Sequence, residues 1–79
     1  GATACTVQLR VMVVRSRYLK VALRTDRRCR ATVSARHFRR AALTLRPGRR
    51  HVVKLRRVKG KTKRVTVTVR ADGRTVRAR

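Results

Sequence analysis

Apolar residues alternate with polar ones along most of this 79-residue chain, and this period of two is the feature that most constrains its fold. Successive side chains of a β-strand point to opposite faces, so the pattern predicts strands with one buried and one solvated face. Seven runs are expected, over residues 5–13, 19–23, 29–35, 41–45, 51–55, 65–69 and 76–78. In the first run, the residues expected to face inward are Cys5, Val7, Leu9, Val11 and Val13.

The breaks between the runs have the composition of turns. Pro47-Gly48 fits a tight turn, and Asp72-Gly73 fits a two-residue hairpin turn that needs positive φ. Short strands separated by such turns predict a β-sandwich or a small barrel in one domain over residues 5–79. Residues 1–4 are expected to be disordered or to be a processing end. Residues 35–43 fit a helical turn about as well as a strand, and a strand is predicted there.

The charge balance is far from that of an ordinary domain. The chain has 25 Lys and Arg residues against two acidic residues, Asp26 and Asp72, for a formal net charge of +23. Such a composition is typical of disordered chains, but 42% of the residues are hydrophobic and they are regularly placed, which favours a folded domain. Like charges at this density repel one another, so bound anions should stabilise the folded state.

The arrangement of these runs resembles a known class of modules. Residues 19–25 followed by 29–35, then 43–50 before 51–55, and finally 63–73 are similar to the Arg-rich immunoglobulin-like modules of secreted and surface proteins of actinobacteria. The resemblance implies an all-β fold, a small immunoglobulin-like β-sandwich of about seven short antiparallel strands. It also implies a non-catalytic spacer or adhesive unit. One departure is that Cys5 and Cys29 would lie on the first and third strands, whereas antibody-type domains join the second and sixth.

The two cysteines, Cys5 and Cys29, leave two alternatives open. In an oxidising compartment they would form one disulfide, which would stabilise so small a domain by roughly 3 kcal/mol. In the cytosol they would be two buried free thiols. The corresponding location is extracellular or cell-surface in the first case and cytoplasmic in the second.

Metal binding and catalysis find little support in the sequence. Cys5, Cys29, His37 and His51 offer two Cys and two His, but every gap is longer than the two to five residues typical of structural zinc sites. His51 is expected to be a half-buried core residue and His37 a loop residue. These spacings predict no metal site. No nucleophile has an evident base beside it, so no enzymatic activity is expected, and no cofactor is expected either.

Basic residues form clusters that have almost no acidic side chains to neutralise them. The predicted anion-binding residues are Arg24, Arg27, Arg28 and Arg30, then Arg46, Arg49 and Arg50, and finally Arg56, Arg57, Lys59, Lys61, Lys63 and Arg64. Arg70, Arg74, Arg77 and Arg79 form a further group. A surface of one sign is the footprint expected of phosphate-backbone binding, which is driven by counterion release.

The main prediction is therefore a monomeric, non-enzymatic domain that binds polyanions such as DNA, RNA, heparin-like or wall polymers without sequence specificity. The alternative is a structural or adhesive module of a secreted protein that contacts anionic wall polymers. No stretch approaches the roughly 20 apolar residues of a membrane span. A third possibility, a membrane-disrupting protein, needs an amphipathic apolar face that the sequence pattern does not show.

Overall fold

The computed structural model describes residues 5–79, and the prediction for residues 1–4 lies outside them. The described chain is all-β, as predicted. Its seven strands are β1 (Val7–Val14), β2 (Tyr18–Thr25), β3 (Cys29–Ala35), β4 (Ala41–Leu45), β5 (His51–Arg56), β6 (Val67–Ala71) and β7 (Arg74–Ala78). Residues 5–79 contain no helix that is long and apolar enough to cross a membrane.

The strands form two antiparallel sheets whose inner faces pack together. The first sheet has the order β1-β2-β5 and the second has the order β4-β3-β6-β7. The core between them consists of the inward-facing residues of the alternating pattern. The largest fully buried side chains are Leu19, Leu23, Leu45, Leu55, Val21, Val33, Val67, Val69 and Cys5. The period of two therefore predicted both the strands and the residues that fill the space between the sheets.

One inward assignment, that of Val13, is wrong. The pairing of β1 with β2 shifts between Val11 and Val13, so that Val13 lies opposite Lys20 and Val14 lies opposite Leu19. A bulge adds one residue to a strand and exchanges the faces of everything after it. Val14 consequently packs against the core in place of Val13.

Both predicted tight turns are confirmed by the backbone. Asp72 and Gly73 have φ angles of 48° and 78°, the two positive values that a primed hairpin turn requires. Gly48 follows Pro47 with a φ of 75°, as expected for the third position of a type II turn.

The strand predicted over residues 35–43 is wrong in its middle. β3 ends at Ala35, β4 begins at Ala41, and a turn closed by the bond from the Phe38 N–H to the Ala35 carbonyl (3.0 Å) lies between them. Phe38 enters the core from this turn and is only 7% exposed. Phe38 is therefore buried although it belongs to neither β3 nor β4. The alternating pattern, which applies to strands, could not predict this. Smaller differences are that β6 begins at Val67, and that Cys5 lies just before β1.

The strand directions divide the connections between two ends of the sandwich. The disulfide end contains the Cys5–Cys29 disulfide, which ties the segment before β1 to the second sheet, with Cα atoms 6.4 Å apart. The β2–β3, β4–β5 and β6–β7 turns also lie there. The opposite end, called the cationic end below, contains the β1–β2 turn, the β3–β4 connection and the β5–β6 loop.

Candidate functional site

Every charged side chain in the three connections of the cationic end is basic. These side chains are Arg15, Arg17, Arg36, Arg39, Arg40, Arg57, Lys59, Lys61, Lys63 and Arg64. The acidic residues of the chain, Asp26 and Asp72, both lie in turns at the disulfide end. The topology therefore confines both acidic side chains to the disulfide end, whereas basic side chains lie at both ends.

Backbone hydrogen bonds hold the three connections of the cationic end together. The Arg57 N–H donates to the Arg17 carbonyl at 2.7 Å, which joins the β5–β6 loop to the β1–β2 turn. The Arg39 N–H donates to the Arg56 carbonyl at 2.8 Å, and the Val58 N–H donates to the His37 carbonyl at 2.7 Å. The basic side chains of the cationic end therefore lie on three connections whose backbones are hydrogen-bonded to one another.

Arg57 differs from the other predicted anion-binding residues because its guanidinium group is half-buried. Its Nη2 donates to the carbonyl oxygens of Arg15 at 3.0 Å and Thr62 at 2.9 Å, and the group stacks on the Phe38 ring, 4.5 Å from the centroid. Its Nε is buried and has no hydrogen-bond partner among the described residues. Arg57 therefore joins the loops through its Nη2 donors and its contact with the Phe38 ring.

Two shallow clefts flank Arg57. One is lined by Ser16, Arg17, Arg56, Lys59 and Gly60, and the other by Arg36, His37, Thr62, Arg64, Val65 and Thr66. Hydroxyl groups and basic side chains occur together in both. These are the side chains that commonly bind phosphate and sulfate oxygens.

The predicted basic cluster around Pro47-Gly48, which consists of Arg46, Arg49 and Arg50, lies at the disulfide end. The basic residues of the β2–β3 turn lie beside it. Gly48 and Arg49 line a cleft with Arg24 and Asp26. His51, predicted to be a half-buried core residue, is half-buried, and its Nε2 accepts a hydrogen bond from the Arg46 N–H at 3.0 Å. The predicted anion-binding residues thus form no single site, because the structure divides them between two ends.

Asp26 anchors the segment before β1 to the β2–β3 turn. Its Oδ1 accepts a hydrogen bond from the Thr6 N–H at 2.8 Å, and its Oδ2 lies 3.9 Å from the Arg27 Nε. The Thr6 N–H is the main cause that lowers the pKa of Asp26 below 3.8, and the charges of Arg27 and Arg74 lower it further. One of the few negative charges is therefore used for structure.

The outer faces of the two sheets differ in chemistry. On the first sheet, Met12 and Val52 are 43% and 51% exposed, and the Arg50 Nη2 lies 3.6 Å from the Met12 Sδ. These two apolar side chains lie among the basic side chains of the same face, which include Arg10, Lys20 and Arg24. Lys54 also covers the Tyr18 ring, with its Nζ 4.3 Å from the centroid.

The outer face of the second sheet carries hydroxyl groups and arginines instead. Arg70 and Arg77 lie on it with Arg30, although the sequence clusters placed Arg30 in a different group. The outward positions of the alternating pattern were visible in the sequence. The pairing that makes them neighbours was not.

The residues considered for zinc are not brought together. Cys5 and Cys29 are joined in a disulfide, so neither offers a thiolate, although the Asp72 carboxylate lies within 4.8 Å of their sulfur atoms. His37 lies at the cationic end, away from the disulfide. The presence of the Cys5–Cys29 disulfide is consistent with an oxidising location, and it agrees with the alternative in which the two cysteines are bonded and not free.

Comparison of the chain with models of protein families, with curated proteins and with solved structures finds no match. Two features of the described residues bear on the function: the confinement of both acidic side chains to the disulfide end, and the Cys5–Cys29 disulfide itself.

Proposed function

We propose that this chain is a non-enzymatic domain that binds polyanions through charge, with the nucleic-acid backbone as its main ligand and no sequence preference. The observation that carries the proposal is the cationic end, where every charged side chain of the three connections is basic. A polyanion bound there would displace its condensed counterions, which is the driving force of backbone binding. It would also relieve the repulsion within a chain of net charge +23.

Recognition of the backbone, and not of the bases, follows from the aromatic side chains. Phe38 is buried and Tyr18 is half-buried beneath Lys54. Stacking of single-stranded bases needs exposed aromatic surfaces, and reading of the major groove commonly uses a helix. Residues 5–79 supply neither, so binding should tolerate any sequence.

The disulfide favours a second candidate, a structural or adhesive module of a secreted protein that contacts anionic wall polymers. The sheet order supports an immunoglobulin-like architecture, since pairing of the first, second and fifth strands and of the third, sixth and seventh strands occurs in constant-type domains. In those domains the fourth strand pairs with the fifth, whereas β4 pairs with β3 here. We propose that the fold is a variant of that sandwich with β4 exchanged between the sheets.

One experiment tests the main proposal and separates the two candidates. Binding to duplex DNA, single-stranded DNA, heparin and an anionic wall polymer is measured side by side over a range of salt concentrations. If about six to ten phosphates are engaged, affinity for DNA should fall by roughly a thousandfold or more between about 50 and 200 mM salt. A shallow salt dependence or a preference for one DNA sequence contradicts the main proposal, and strong preference for the wall polymer favours the second candidate.

A further inference from the structure

The outer face of the second sheet presents a regular array of hydroxyl and guanidinium groups. Alternation along each strand places every second side chain on this face. The residues concerned are Ala42 and Thr44 on β4, Arg30, Thr32 and Ser34 on β3, Thr68 and Arg70 on β6, and Thr75 and Arg77 on β7. None of these is aromatic or a large apolar residue.

The pairing register places three of these arginines on one diagonal. Arg70 lies opposite Thr32 of β3, so Arg30, two residues before Thr32, is its diagonal neighbour. Arg70 also lies opposite Thr75 of β7, so Arg77 is its diagonal neighbour on the other side. Diagonal neighbours in an antiparallel sheet are about 7–8 Å apart. Arg30, Arg70 and Arg77 therefore form a line across the face, called the arginine stripe below.

Hydroxyl groups lie directly beside the arginine stripe. Thr32 and Thr75 flank Arg70 in one row, and Thr68 is paired with Arg77 in the next. Arginine, threonine and serine are among the side chains that contact phosphate oxygens in protein–DNA complexes. The face thus combines charge with neutral donors at neighbouring positions.

The arginine stripe leads towards the cationic end. Arg79 follows Arg77 at the next outward position, and it lines a cleft with Lys63, Arg64 and Thr66. The Asp72 carboxylate lies within 4.8 Å of the sulfur atoms of the disulfide, at the opposite end of the sandwich from the cationic end. A linear polyanion could therefore contact basic groups from the face to the cationic end.

We propose that the arginine stripe is the surface on which a nucleic-acid duplex lies, with one phosphodiester strand along it and the threonine hydroxyls donating to phosphate oxygens. The inference rests on the proposed function and adds the location and the form of the ligand. A duplex is favoured over a single strand because this face has no aromatic side chain on which bases could stack. Phosphodiesters suit the face because it pairs guanidinium groups with hydroxyl donors.

A charge-matched pair of variants tests the location. Arg30→Gln/Arg70→Gln/Arg77→Gln removes three exposed charges from the arginine stripe. Arg10→Gln/Lys20→Gln/Lys54→Gln removes three charges from the outer face of the first sheet, at positions outside the predicted anion-binding clusters. Loss of three phosphate contacts should reduce the slope of log K against log salt by roughly 2.7 for a DNA duplex. The first-sheet variant should reduce the slope by less than about 1, the value of a single contact.

A second measurement uses the unmodified protein and so does not depend on the folding of variants. Arginine residues are modified with phenylglyoxal with and without the duplex, and the modified positions are identified by mass spectrometry. Arg30, Arg70 and Arg77 should be protected by the duplex, while Arg10 on the first sheet should react as before. Thr32→Val/Thr68→Val, which keeps the charge and the β-branched shape, should lower affinity several-fold with the slope unchanged.

The outcomes separate the two levels of the proposal. Equal slope losses in the two triple variants, or protection of the first-sheet arginines instead, overturn the arginine stripe while the proposed function stands. Failure of the wild-type protein to bind duplex DNA with a steep salt dependence overturns the proposed function itself.

Discussion

The guanidinium group of Arg57 lies 4.5 Å from the centre of the Phe38 ring, joining the β5–β6 loop to a side chain that enters the core from the β3–β4 turn. Two carbonyl oxygens accept hydrogen bonds from its Nη2. A buried arginine commonly pairs with a carboxylate. In this chain, which has only two acidic residues, an aromatic ring and two backbone carbonyl oxygens are the partners of Arg57 instead. One arginine thereby holds the loops that carry the others.

Replacement of Arg57 should therefore destabilise the fold. Arg57→Ala removes two charge-assisted hydrogen bonds and a cation–π contact, so we expect the free energy of unfolding to fall by about 2 kcal/mol. Arg56→Ala removes an exposed neighbouring arginine and should change it by less than about 0.5 kcal/mol. Urea denaturation compares the two variants, and equal losses would contradict the structural role of Arg57.

The disulfide should contribute a large part of the stability. Cys5 and Cys29 are 24 residues apart in sequence, and closing a loop of this size stabilises by roughly 3 kcal/mol. Cys5→Ser/Cys29→Ser should lower the free energy of unfolding by about that amount. Alkylation of the denatured, unreduced protein should add no mass, and two added alkyl groups would show that the bond is absent in solution.

Acidification should weaken the anchor at Asp26. Since its pKa is lower in the folded than in the unfolded chain, its contribution is complete above the unfolded value, near 3.8, and is lost as the pH falls through the lower folded value. Asp26→Asn should remove this part of the acid dependence of unfolding. An NMR titration of the Asp26 side-chain carboxyl checks the cause, and a pKa at or above 3.8 would contradict it.

Dissolved anions should raise the melting temperature. Sulfate and phosphate reduce the repulsion among the basic side chains, and sulfate also strengthens apolar burial. The melting temperature should therefore rise from low to moderate salt, and more with sulfate than with chloride at equal ionic strength. A flat melting temperature over this range is the contrary result.

The two ends of the sandwich should differ in their contribution to binding. Arg17→Gln/Arg56→Gln/Arg64→Gln removes three charges that line the clefts of the cationic end. Arg46→Gln/Arg49→Gln/Arg50→Gln removes three from the turn at the disulfide end, where Asp26 lies nearby. Affinity for duplex DNA at low salt should fall at least several-fold more in the first variant. Equal losses would mean that only total charge matters.

The alternating pattern was sufficient to predict most of the fold. Strand positions, the inward residues of β2 and β3 and the two glycine turns follow from local preferences, and the structure confirms them. The bulge in β1 and the buried Phe38 were not predictable in this way. Both depend on contacts with distant parts of the chain, which a local period does not contain.

The sequence by itself determined the net charge, most of the strands and the face of most strand side chains, because these depend on composition and on alternation along one strand. Only the tertiary structure decided which basic clusters share an end, that Arg57 is bound by the backbone, and that Arg30, Arg70 and Arg77 lie on one diagonal. These relationships arise from strand pairing over long separations in sequence. A hairpin turn fixes the register of neighbouring strands such as β6 and β7, but the residues of one strand do not identify a partner that is distant in the sequence.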